Sequence, residues 1–157
     1  MLVAPAPLSQ LTDFFSSLFT GSFSIEIKLI DILLGILSLV LLMLMHELLH
    51  LAFFPDFLRS DKTYMGIMYA GVYVVTEEVL TRLRFIIISL APFIALSVLL
   101  PIVLGITGML SPGLIILAML NAIGSSIDIL GLLLVIRQAP PGARILCIGM
   151  DTYWKAR

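Results

Sequence analysis

Charge is scarce in this sequence: nine basic and ten acidic residues in 157, with a formal net charge of −1. Hydrophobic residues make up 61% of the chain, and the mean hydropathy is +1.17. A water-soluble domain of this size needs more polar surface to cover its core, so the composition points to an integral membrane protein. There is no basic excess and the pI is about 6.0, which argues against nucleic acid as a partner. Cys147 is the single cysteine, so an intrachain disulfide is ruled out and the residue is assigned no role. Residues 1–10 carry no charged side chain, so the basic n-region of a cleavable signal is missing. The first membrane segment is therefore expected to act as the insertion signal. Histidine is scarcer still, with only His46 and His50.

Long apolar runs are what the chain does have. Three are long enough to cross a bilayer as helices, over about 32–54, 85–104 and 114–136. Pro55 and Asp56 stop the first. The second follows Arg82 and Arg84 and contains Pro92, which is expected to kink it and to free a backbone carbonyl, facing either the site or water. Ser111-Pro112-Gly113 starts the third, and Arg137 with Pro140-Pro141 ends it. Residues 11–23, rich in phenylalanine, are too interrupted to span and read as a short interfacial helix. The expected class is an all-α membrane protein of one domain, residues 1–157, with about three transmembrane helices and a β-hairpin-like cytoplasmic segment.

Charge placement supplies an orientation. Arg59, Lys62, Arg82 and Arg84 lie between the first two spans, and Arg137, Arg144, Lys155 and Arg157 follow the third. Only Lys28 precedes the first span, and residues 105–113 have no charge. The positive-inside rule then puts the N-terminus outside and both the 55–84 loop and the 137–157 tail in the cytoplasm, in what is expected to be a prokaryotic cell membrane. Within the loop, residues 64–76 are aromatic and β-branched, with Gly66 and Gly71 as breakers, and read as a strand or hairpin at the membrane surface or dipping into it. The tail has a second short β-like run over 144–154.

His46, Glu47 and His50 are the only ionisable residues between Asp31 and Asp56. Histidines at i and i+4 share one helix face, so both rings can reach one cation, and Glu47 beside them can take a proton from water activated there. This is the HExxH spacing of zinc hydrolases. Each such group costs a few kcal/mol in hydrocarbon, and a bound cation offsets that cost. The competing reading is a polar packing cluster without metal. Haem is a poor fit, because the chain has no histidine to ligate the ring from its other side.

A catalytic zinc site takes three protein ligands, and no third histidine exists. The third span carries one carboxylate, Asp128. It lies about nine residues before Arg137, as His46 lies about nine before Pro55, so both sit roughly 13 Å from the cytoplasmic ends of their helices. No lysine or arginine lies inside a span to pair with Asp128, which favours it as a ligand. Asn121, two turns earlier on nearly the same face, could donate to a substrate oxyanion or bond a neighbouring helix. Gly124, Ser125 and Ser126 are small enough to let helices approach closely.

With HELLH in one helix and an Asn…Asp segment in a later one, the chain resembles the site-2 protease class of intramembrane zinc metalloproteases. Arg82 before Ala91-Pro92, followed by Gly124-Ser125-Ser126-Ile127-Asp128, is similar to the putative zincin peptidase family of small bacterial membrane proteins. The likeness covers about 33–136. It implies Zn²⁺ on His46, His50 and Asp128, Glu47 as general base, a catalytic part for Asn121, and cleavage of membrane-embedded or membrane-proximal peptides. Site-2 proteases usually carry a proline between the Asn and Asp and a glycine after the Asp; here Gly124 and Ile129 stand there. The expected partners are such a substrate and the lipid bilayer, with a homo-oligomer left open. Two other classes fit the same ligands: a divalent-metal transporter or sensor, and a catalytically silent protein that grips membrane helices.

Overall fold

The computed structural model describes residues 16, 28–57, 59–68, 71–148 and 151–156. Apart from Ser16, the expected interfacial helix at 11–23 lies outside them.

Among the described residues three helices are long and apolar enough to cross a membrane: Leu29–Phe53 (α1), Arg82–Ile106 and Pro112–Gln138, of 25, 25 and 27 residues. At 1.5 Å per residue each exceeds the ~30 Å hydrocarbon core. Local chemistry sets their ends. The Asp31 carboxylate accepts the Lys28 N–H at 2.9 Å at the start of α1, and Phe54 turns extended before Pro55, as a residue ahead of proline must. Thr81 and Ser111 cap the other two, accepting from the N–H groups of Arg84 and Leu114.

Neither later helix is uniform. The second runs as α2 (Arg82–Pro92), a π-helical stretch Phe93–Leu99, and α3 (Leu100–Ile106). Pro92 has no N–H for the carbonyl of Ile88 four residues back, so the ladder must rearrange around it. The third divides at Ser125 into α4 (Pro112–Gly124) and α5 (Ser126–Gln138).

Residues 63–68 and 71–76 pair as the two strands of the expected hairpin. Strands β1 (Thr63–Met68) and β2 (Gly71–Thr76) pair antiparallel from Thr63↔Thr76 to Met68↔Gly71. Gly71 has φ +132°, a backbone conformation that residues with a side chain rarely adopt, so glycine suits the start of β2 where it packs near Met43. The all-α expectation needs correcting at the tail. β4 (Arg144–Ile148) and β5 (Asp151–Lys155) join a two-residue β3 (Leu80–Thr81) in a second sheet of order β3-β4-β5.

The packed core sits at the end of the bundle that carries the sheets. Phe54, Leu80 and Ile88 form one buried cluster, and Val135, Ala139, Ala143 and Ile145 form another; Phe85 touches both. Two arginines tie the helix ends together there: Arg84 Nε donates to Phe53 O at 2.9 Å and Arg82 Nη2 to Ile136 O at 2.8 Å. Farther along, α1 exposes Leu33, Leu37, Val40 and Leu41 to about half their area. An apolar exterior on this scale calls for lipid or protein to cover it.

Candidate metal centre

His46, Glu47 and His50 lie within one helical turn and a half near the end of α1, and α5 brings Asp128 to the histidines. The imidazole nitrogens His46 Nε2 and His50 Nε2 are 3.2 Å apart. Asp128 Oδ2 lies 3.3 Å from the first and 3.6 Å from the second. The equal depths read from the sequence are thus realised as contact. Among the described residues these three form a group that could hold a metal ion.

The partners of each ring decide which nitrogen is free. His50 Nδ1 is 3.0 Å from the carbonyl of Ile88. A carbonyl only accepts, so Nδ1 bears the proton and Nε2 presents a lone pair. Ile88 is the carbonyl that Pro92 deprives of a helical partner, so the freed group does face the site. His46 Nδ1 is 3.0 Å from Asn121 Oδ1. The Asn121 amino group donates to Pro92 O at 3.1 Å and to Ser97 Oγ at 2.8 Å, and Ser97 in turn donates to Ala118 O. That chain leaves Oδ1 as the acceptor for His46 Nδ1–H. In their neutral form the two rings therefore present both Nε2 lone pairs to the Asp128 carboxylate.

Asn121 is 3% exposed and its three hydrogen bonds use every N–H it has. The geometry assigns it to holding the His46 ring, with no N–H left over for an oxyanion. Glu47 points to the hairpin: its Oε2 accepts the Val74 N–H at 3.0 Å. A cavity of about 430 Å³ opens between Glu47, His50, Asp128 and the β2 strand. Cys147 also lines it, and burial pushes its thiol up from the ordinary value. A smaller space of about 190 Å³ lies on the other side of His46, against Met43 and Gly124.

A family model for putative zincin peptidases matches residues 39–144, well over half of the chain. The chain belongs to this family. No curated protein and no solved structure matches it. As a putative zincin peptidase it is placed among metallopeptidases, and the family implies zinc. The matched segment includes His46, Glu47, His50, Asn121 and Asp128.

The donor set fits that metal. Zinc binds imidazole nitrogen and carboxylate oxygen at about 2.0–2.2 Å, so tetrahedral ligands stand about 3.3–3.6 Å apart. The three separations here, 3.2, 3.3 and 3.6 Å, lie within about 0.1 Å of that range. Each histidine also hands its second nitrogen to an oxygen acceptor, the outer arrangement that fixes zinc-binding tautomers. Ser97 and the Val74 N–H had no signal in the sequence beyond a lone serine in an apolar run and a strand near the motif.

Proposed function

We propose that this putative zincin peptidase is an intramembrane zinc metalloprotease of the site-2-protease type, with His46, His50 and Asp128 as ligands and Glu47 as general base. The observation that carries the reading is the convergence of His46 Nε2, His50 Nε2 and Asp128 Oδ2 within 3.6 Å of one another, beside the Glu47 carboxylate. The apolar exteriors of the three long helices support placement in a bilayer. The N-terminus faces out, and the hairpin and tail face the cytoplasm, by the bias of Lys and Arg toward that end.

Zinc held by these residues supplies Lewis acidity, acidifying water and polarising a carbonyl. Glu47 takes the proton of the attacking water and delivers it to the leaving amine. Val74 N–H holds the carboxylate in place beside the ligands. Ile88 and Asn121 keep both imidazoles in the ligating tautomer. A substrate helix must unwind to expose a peptide bond, and the outward edge of β2 receives the unwound stretch. Just past β2, Glu77 N–H turns inward to Lys62 O, so by alternation the N–H groups of Val72, Val74 and Thr76 point away from β1. Val74's bond to Glu47 agrees with that parity. An extended peptide adding to this edge passes directly over the base.

Glu47→Gln tests the reading. The variant should keep its zinc and lose cleavage of a membrane-embedded substrate by a factor of at least about 10². Unchanged cleavage overturns the mechanism; metal uptake into proteoliposomes that survives the substitution would make the protein a transporter instead.

A further inference from the structure

We propose that the outer face of the β3–β4–β5 sheet binds the phosphate of an anionic phospholipid through Arg144 and Lys155. This rests on the chain being membrane-embedded, but not on its being a peptidase.

The register puts Thr81, Arg144 and Lys155 side by side across the three strands. Directly paired residues project to the same face, so two cations stand opposite each other, an arrangement that is unfavourable when nothing lies between them. Among the described residues no carboxylate lies within salt-bridge reach of Arg144 or Lys155; the close contacts of that kind are those of Asp128 with His46 and His50. Glu78, close by in the chain, accepts the Ser60 hydroxyl instead. The sheet cannot turn this face inward, because the neighbouring row, Leu80 and Ile145, is 3% and 0% exposed and belongs to the core.

The next rung on the outer face is apolar: Leu146 opposite Tyr153, the latter 54% exposed. A cavity of about 450 Å³ runs along this face, lined by Val79, Arg144, Leu146, Tyr153 and Lys155. One end is doubly cationic and the rest aliphatic and aromatic, the polarity of a phospholipid from phosphate to acyl chain. A second cavity of about 500 Å³ joins Arg144 to Arg82 and Leu83.

The depth is right for a headgroup. Arg144 pairs with Thr81, the N-cap of the helix that begins at Arg82. The cation pair therefore sits where a spanning helix leaves the bilayer, on the side the positive-inside rule makes cytoplasmic. That leaflet carries the negative surface potential of anionic lipids.

Trp154, the only tryptophan, lines the cavity and reports on it. Full-length protein in detergent is titrated with dihexanoyl-phosphatidylglycerol, dihexanoyl-phosphatidylcholine and inorganic phosphate while Trp154 emission is read. Phosphatidylglycerol should bind at least about tenfold tighter than phosphatidylcholine, and Arg144→Gln with Lys155→Gln should weaken it about 25-fold, near fivefold per cation. Retained zinc shows that the variant is folded. If it is not, the wild-type preference should fall steeply with salt. Equal binding of the two lipids, or a folded double variant that binds as wild type does, overturns the proposal. Inorganic phosphate binding as tightly as phosphatidylglycerol would make this a site for free phosphate, and the lipid assignment fails.

Discussion

His50 Nδ1 donates to the main-chain oxygen of Ile88 at 3.0 Å. That oxygen is available because Pro92, four residues later, has no N–H to offer it. A break in the second helix is thereby converted into a fixed orientation for a candidate metal-ligating ring on the first.

Pro92→Ala should undo this. Restoring a helical N–H makes Ile88 O a shared acceptor and loosens His50. Zinc affinity is expected to fall about 10–100-fold, the usual cost of losing an outer partner of a ligating histidine. Competition with a chromophoric chelator measures it; an unchanged affinity would show that Ile88 is not what holds the ring.

Asn121 separates two roles. If it positions His46, Asn121→Ala lowers zinc affinity by a similar 10–100-fold. If it instead donates to an oxyanion, zinc binding stays at the wild-type level and cleavage alone falls. Titrating the metal and assaying the zinc-saturated variant distinguishes the two, and the hydrogen bonds to Pro92, Ser97 and His46 predict the first.

Val74→Pro removes the N–H that Glu47 accepts. Proline is tolerated there, because this N–H faces away from β1 and takes no part in the hairpin ladder. The variant should bind zinc normally and cleave about tenfold or more slowly, the weight of one hydrogen bond to a carboxylate. Wild-type turnover would remove Val74 from the mechanism.

Arg84→Ala should cost little. Its bond to Phe53 O ties two helix ends, but the side chain is exposed and solvent screens it. A loss of about 1 kcal/mol, or roughly 2–4 °C in thermal midpoint, is expected in detergent with zinc content unchanged. A drop of 10 °C or more would mean that the tie organises the whole sheet-bearing end.

The sequence made the three long helices legible because hydropathy is a local property, and their ends fell within about three residues of 32–54, 85–104 and 114–136. His46, Glu47 and His50 declared themselves by helical spacing, and Asp128 by its depth and lack of a cationic partner. The β-like run at 144–154 was legible as β4 and β5, but their union with β3 was hidden, because β3 is two residues long and pairs with a segment far along the chain. The site's outer partners were partly hidden for a related reason. Pro92 announced a free carbonyl but not its acceptor role toward His50, and Asn121 showed a polar group in an apolar helix without showing that all its hydrogen bonds would be taken. A main-chain N–H such as Val74's has no residue type to mark it at all.

The central claim is that His46, His50 and Asp128 together bind zinc. Metal analysis of the purified protein beside His46→Ala and Asp128→Ala tests it most directly. About one zinc per chain in the wild type, and far less in both variants, is the predicted result. A full complement of zinc in either variant, or none in the wild type, would contradict it.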